Sequence, residues 1–295
     1  MLVTGGTGTL GTLVTRRLLD TGHRVRIMTR NQMKADDLKK RGASIVKGDL
    51  RDVESLEFAL RGVSTVISAT HSMLGKGDAA VEIVDDEGVR SLIDESKKAG
   101  VEHFIFVSVL QAALDHPIDF WQAKARVERY LRDSGLSHTI VRPAGFMEMH
   151  AYVLIGKLVE SGKRVVMFGS GNNPRNFVAA GDVAKMIVAA TDDPRMRGEV
   201  VEIGGPENLT ANQVAEIFAR ISGKKARMTH LPIAVGKVAA VAASKLHPGV
   251  SRVIRSAVLA ETTDQTFDVS ELVARYPIKL TRLEDWAARK KQSPA

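Results

Sequence analysis

The chain of 295 residues contains no cysteine. That excludes disulfides, a thiol nucleophile, and any zinc or iron–sulfur site built on thiolates. Aromatic residues are scarce, at 5%, so stacked platforms for single-stranded nucleic acid are not expected. The longest apolar stretch, residues 233–243, is interrupted by Lys237 and is too short to span a bilayer. No H-E-x-x-H or similar spacing of ligating side chains occurs, and no metal is predicted. Internal repeats and low-complexity tracts are also lacking. The first apolar strand starts at Met1 and Leu2, so no signal or transit peptide is expected. The cytoplasm is the expected compartment.

What is present is the composition of a soluble globular protein, with 44% hydrophobic and 26% charged residues. Lys and Arg number 42 against 34 Asp and Glu, for a net charge of +8. The charges read as scattered. The densest basic run, residues 34–41, is broken by Asp36 and Asp37. A nucleic-acid partner is therefore not expected, and a mild attraction for anionic ligands is.

The pattern turns on the first eleven residues, MLVTGGTGTLG. A short apolar strand ends in a turn holding Gly5, Thr7, Gly8, Thr9, Leu10 and Gly11. Leu10, Val14 and Leu18 then recur at helical spacing. Glycines let a pyrophosphate approach the backbone, and the helix start offers N–H groups and a favourable dipole. Further strands are predicted at residues 23–28, 43–47, 65–69, 103–107 and 139–142, alternating with helices at 34–41, 53–60, 80–99 and 120–132. The alternation predicts an α/β fold: a Rossmann-type, doubly wound parallel sheet with a smaller C-terminal lobe. The expected division is 1–145 for the dinucleotide-binding part and 146–295 for the lobe, with segments near 177–204 returning to the main sheet. Asp182 and Thr210 are read as helix caps, and residues 290–295 as a frayed tail.

Ligands in such sheets sit at the C-terminal strand ends. Arg30 stands where an acid would receive the ribose 2′-hydroxyl of NAD. A guanidinium there matches a 2′-phosphate, so NADP(H) is preferred over NAD(H). Asp49 is placed to accept from an adenine amino group and Leu50 to cover the ring, with Asp52 left to cap the next helix. Ala69, Thr70 and Ser108 occupy the ends of later strands. Phe120 and Lys124 share a helix face one turn apart. His71 and His116 read as loop residues.

The motifs VTGGTGTLG, TR after the second strand, GDLRD, FIFVSV, AKARVERYLRDSGLSHTIVRPAGFME, NFVAAGDVA and VVEIGGPENLT resemble the NmrA-like group of atypical, extended short-chain dehydrogenase/reductases. That group includes quinone-reductase-like and isoflavone-reductase-like members. The resemblance implies a Ser–Tyr–Lys set in which Ser108 and Lys124 match, while the Tyr position holds Phe120. Tyr130, six residues past Lys124, falls on another helix face. Pro143 and Phe146 join the implied cofactor contacts. A C-terminal lobe would close over the nicotinamide with Phe120, Phe146, Met147, Met149 and Tyr152 toward an apolar substrate.

Three functions follow from the resemblance. The first is an NAD(P)H-dependent reductase delivering hydride to a quinone or enone, with Lys124 (its pKa lowered by burial), water or His116 as proton source. The second is a non-catalytic NADP(H)-binding redox sensor with a protein partner. The third is an assembly or biosynthetic binding subunit. A monomer or homodimer is expected.

Overall fold

The computed structural model describes residues 1–292. In chain order it begins β1 (Leu2–Thr4), α1 (Thr9–Asp20), β2 (Arg26–Thr29), α2 (Asp36–Lys40), β3 (Ser44–Lys47), α3 (Val53–Leu60), β4 (Thr65–Ser68), α4 (Gly88–Lys98), β5 (His103–Val107), α5 (Asp119–Asp133) and β6 (His138–Pro143). It continues β7 (Gly145–Phe146), α6 (Lys157–Glu160), β8 (Arg164–Phe168), β9 (Arg175–Val178), α7 (Ala180–Asp192) and β10 (Val200–Ile203). The last elements are β11 (Asn208–Leu209), α8 (Ala211–Ser222), β12 (Arg227–Leu231), α9 (Ile233–Leu246), α10 (Pro248–Thr262), α11 (Ser270–Arg275) and α12 (Leu283–Gln292). Two compact units emerge. The first comprises Met1–Arg142 with Val183–Glu202, and the second Pro143–Asp182 with the described chain from Ile203 onward.

The first unit is built on a seven-stranded sheet ordered β10-β6-β5-β4-β1-β2-β3. Every pair from β6 to β3 is parallel. Strands covered on both faces read as continuous apolar runs, and β1, β4 and β5 are buried at every residue. After β3 the chain returns to lay β4 beside β1, with Leu2 in register with Arg26 on one side and Val66 on the other. The ends of β1 and β4 thus meet where the strand order reverses, the place where open α/β sheets bind ligands. α1 buries Leu10, Val14 and Leu18 as the spacing required. Asp52 caps α3, accepting from Ser55 N–H at 3.4 Å.

Two helices depart from the predicted regularity. Residues 80–99 form one α-helix only from Gly88; before it, Glu82–Glu87 is π-helical. The wider turn accompanies two carboxylates, Asp85 and Asp86, that are buried rather than solvated. Met147–Gly156 is likewise π-helical ahead of α6.

In the second unit β11-β9-β7 form one small sheet and β12-β8 another. The strand at Arg175–Val178 therefore stays in this unit, and Val183–Glu202 is the segment grouped with the main sheet. Asp182 does not cap α7. It lies inside the first turn, where its Oδ2 accepts from Thr281 N–H at 2.6 Å. Glu148 takes the capping role instead, receiving Ala180 N–H at 3.2 and 3.1 Å and Trp286 Nε1–H at 3.1 Å. Burial pushes the Glu148 carboxyl up. Thr210 caps α8 in a reciprocal box with Gln213. Lys290, Lys291 and Gln292 belong to α12 rather than to a tail; residues 293–295 lie outside the described residues.

Candidate functional site

The glycine turn is shaped by contacts that no side chain could share. Gly5 has φ +71°, and a Cβ there would lie 2.6 Å from Ala69 O and 2.8 Å from Thr70 N. A Cβ on Gly11 would meet Gly5 O at 2.2 Å. Gly5 therefore lets the end of β1 touch the end of β4, and Gly11 lets α1 pack onto the turn. Gly8 is different: among the described residues beyond its own turn of helix, a Cβ there would have Gly5 O alone within 4 Å, at 3.4 Å. It is the N-cap residue of α1, gives no side-chain cap, and is followed by a first turn without an acid. The N–H groups at the start of α1 are thus left for an anion.

Arg30 is exposed at the end of β2. Asp49, at the end of β3, is not the free carboxylate anticipated. Arg51 grips it, with Nε to Oδ1 at 2.9 Å and Nη2 to Oδ2 at 2.7 Å, and the Arg51 N–H adds a third bond to Oδ1 at 3.1 Å. The guanidinium holds the Asp49 carboxyl below its ordinary range, with Arg30 adding in the same direction. Three of about four acceptor positions on the carboxylate are used, leaving one. Leu50 is buried, against Gly88 at the start of α4.

Lys124 is 2% exposed and Asp85 is fully buried. Their Nζ and Oδ1 are 3.0 Å apart. Asp85 Oδ2 accepts from Ser72 N–H at 2.7 Å, and Lys124 also donates to Thr70 O at 3.2 Å. The ammonium stands 5.0 Å from the Phe106 ring centroid and 5.5 Å from that of Phe120, within cation–π range. The expectation for Lys124 rested on burial without a counter-charge; the structure supplies one. Because Thr70 touches both Gly5 and Lys124, the glycine turn and this ion pair form one locus.

Ser108 is committed elsewhere. Its hydroxyl donates to Glu128 Oε1 at 2.6 Å. Glu128 is 1% exposed and also receives Arg142 through Nε at 2.8 Å and Nη2 at 2.6 Å, and Arg132 at 3.0 Å. Arg142 reaches on to Glu202 at 3.1 Å. Ser108 is one donor to a buried carboxylate network, while Lys124 belongs to another.

His116 is stapled into its loop. Its Nδ1 accepts from Ile118 N–H at 3.1 Å, its ring stacks on Trp121 at 4.8 Å, and burial lowers its pKa, favouring the neutral ring. His71 stands edge-on to Phe120 at 6.4 Å. Tyr130 donates to Asp94 at 2.8 Å, which raises its pKa and leaves it no part beside Lys124.

The candidates in the second unit disperse. Pro143 is buried at the end of β6, and Phe146 is half-buried on β7. Met147, 2% exposed, belongs to that unit's core with Phe177 and Phe218. Met149 is 47% exposed. Tyr152 packs between Phe218 and Trp286, each 5.8 Å away between centroids, with Lys290 over its ring at 4.3 Å.

Asp85, Glu128 and Arg51 are the residues sequence reasoning missed. A signal existed for the first two. Asp85 falls four residues after Val81 and four before Val89, within the apolar stripe of its helix. Glu128 follows Lys124 by one turn and adjoins Val127. Charges on an apolar face need partners.

Sheet order and glycine turn define a Rossmann-type α/β protein with an anion cradle at the β1–β4 junction. The sequence matches the NmrA-like family over residues 1–287, and the chain belongs to that family. It is 33% identical over 238 residues to the photosystem II assembly factor Ycf39 of Synechocystis sp., covering 80% of this chain and 71% of that one. It is 30% identical over 290 residues to the (4-alkanoyl-5-oxo-2,5-dihydrofuran-3-yl)methyl phosphate reductase of Streptomyces griseus, covering 98% and 96%. Its fold is similar to that of the NADPH-dependent quinone oxidoreductase QOR2 of Escherichia coli, at a TM-score of 0.79 and 23% identity over 98% of both chains.

Proposed function

We propose that the chain is an NADPH-dependent reductase that passes hydride to a small apolar acceptor such as a quinone or an enone. The observation that carries this reading is the Lys124–Asp85 pair, joined through Thr70 to the glycine turn. A relative that is a reductase along almost the full length of this chain supports it.

The residues present fit a dinucleotide. The uncapped start of α1 and the open side of Gly8 receive a pyrophosphate. Arg30 pairs with a 2′-phosphate, and Arg51 is held beside it by Asp49. Leu50 walls the adenine. The bound nicotinamide supplies the hydride. An ammonium has three donors. Lys124 spends one on Asp85 and one on Thr70 O, and the third is directed to a ribose hydroxyl or to the oxygen on which charge develops. Asp85 compensates the buried ammonium and fixes its position. Phe120 offers no proton, so an acceptor that needs little acid help suits the site better than a plain carbonyl.

A second reading is a non-catalytic NADP(H)-binding sensor or assembly protein with a protein partner. Its support is the absence of a hydroxyl at Phe120, the engagement of Ser108 by Glu128, and the similarity to Ycf39. The test is a titration with NADPH and NADH followed by a panel of quinones and enones. Saturable NADPH binding with loss of its absorbance in that panel is the expected outcome. Tight binding without consumption of any acceptor transfers the claim to the sensor, and no nucleotide binding removes both.

A further inference from the structure

The scattered charge inferred from composition does not hold along the whole chain. Residues 217–260 contain eight Lys and Arg and no Asp or Glu, which equals the net charge of +8 for the entire chain. This stretch includes β12, α9 and α10 up to its last turn, where Glu261 accepts from Gly171 N–H at 2.9 Å. The last two pack on one another and on β8.

α9 turns its small residues inward. Gly236 and Ala240 are buried, and a Cβ on Gly236 would meet Val258 at 2.7 Å and the Phe168 ring at 2.8 Å. Its outward side is aliphatic. Val235, Val238, Val241 and Leu246 are 46%, 69%, 58% and 82% exposed, and they recur at helical spacing. Lys237 and Lys245, both exposed, lie along the same side, and α10 adds exposed Val250 and Arg255.

We infer that the α9–α10 hairpin is a docking surface for anionic lipid headgroups, with the valines and Leu246 entering the acyl boundary. Charge complementarity selects this occupant. On the hairpin itself Lys237, Lys245 and Arg255 are exposed, Arg252 is buried, and Glu261 is engaged by Gly171 N–H; a face of net positive sign suits a surface of the opposite sign that has no register to specify. A protein partner fits less well. Residues 232–260 hold no aromatic residue and no methionine, the types enriched in protein interfaces, whereas lysine is depleted there. A second copy of this chain fits worse, because an isologous contact would set these lysines against their own kind. The hairpin would lie on the bilayer rather than cross it, since among the described residues no helix is long and apolar enough to span a membrane. The lysine stems can lie along the aliphatic face while their ammonium groups reach the phosphates. This inference does not depend on the reductase reading.

The experiment is co-sedimentation of the full chain with vesicles of equal parts phosphatidylglycerol and phosphatidylcholine, against vesicles of phosphatidylcholine alone. Binding to the first only, weakening as salt is raised, is the expected result. Replacing Lys237→Gln and Lys245→Gln together should lower that binding by about ten-fold or more, and Val238→Ser should lower it without changing the salt dependence. Far-ultraviolet circular dichroism of each variant checks that the fold is kept. Failure to bind the anionic vesicles overturns the inference, as does binding indifferent to all three substitutions. Loss of self-association by sedimentation equilibrium in these variants, with vesicle binding unchanged, assigns the face to a second copy instead.

Discussion

Lysine occupies two opposite settings in this chain. In the first unit Lys124 is buried, matched to Asp85 and enclosed by two rings. In the second unit Lys237 and Lys245 are exposed on a stretch that carries no acid. A buried charge is expensive without a partner, so its geometry is fixed. An exposed one costs little and contributes little to the fold, so its arrangement is free to follow an outside partner. The difference separates a site that needs precision from a surface that needs only sign.

The sharpest way to break the comparison is to remove one buried partner. Asp85→Ala should destabilise the chain by about 3–5 kcal/mol, because it strands an ammonium away from water. Urea unfolding measures this, and pairing Asp85→Leu with Lys124→Met should recover most of the loss. A cost near that of a surface substitution would show that the pair is solvated after all.

A second effect comes from a buried imidazole. His103 is 1% exposed, its Nε2 is 3.0 Å from Thr139 Oγ1, and burial depresses its pKa from 6.5 to about 4. A depressed value means that the folded state resists protonation. The contribution is therefore present above pH 6.5 and is lost as the pH falls toward about 4, amounting to about 3 kcal/mol. His150, also held near 4 by burial and Arg175, acts in the same direction. Thermal unfolding across this window should show the loss, and His103→Gln should flatten part of it.

Smaller still is the effect of Arg30→Ala, an exposed charge whose proposed partner is a 2′-phosphate. It should weaken NADPH binding by about 1.5–3 kcal/mol more than NADH binding, the range of a charged hydrogen bond. Equal weakening of the two nucleotides removes the case for NADP. The smallest stability change belongs to the hairpin. Lys237→Gln with Lys245→Gln should leave urea stability within about 0.5 kcal/mol. A larger loss would mean that these lysines serve the fold.

The fold was legible because its signals are local. A glycine turn after an apolar strand and buried runs at β1, β4 and β5 depend on neighbours in sequence, and the sheet order follows from few topologies. The site was legible only in part. Lys124 stood out by position, whereas its partner Asp85 lies 39 residues earlier in a helix that widens to a π-turn. Asp49 read as a ligand acceptor because the reach of Arg51 back to it depends on a turn geometry that spacing does not reveal. Ser108 matched a family position, yet its hydroxyl is taken by Glu128 across the unit. Met147 and Tyr152 looked like substrate contacts and are packed in their own unit's aromatic core, since apolar residues at helical spacing carry no mark of which face is lined by neighbours.

The central claim is that Lys124 works with Asp85 in the reaction rather than chiefly in holding the nucleotide. Turnover of NADPH with a quinone should be measured for the wild type and for the double variant Lys124→Met with Asp85→Asn, which leaves no lone buried charge. NADPH affinity within a few-fold of wild type and turnover lowered by about 100-fold or more is the predicted result. Undiminished turnover in the double variant would contradict it.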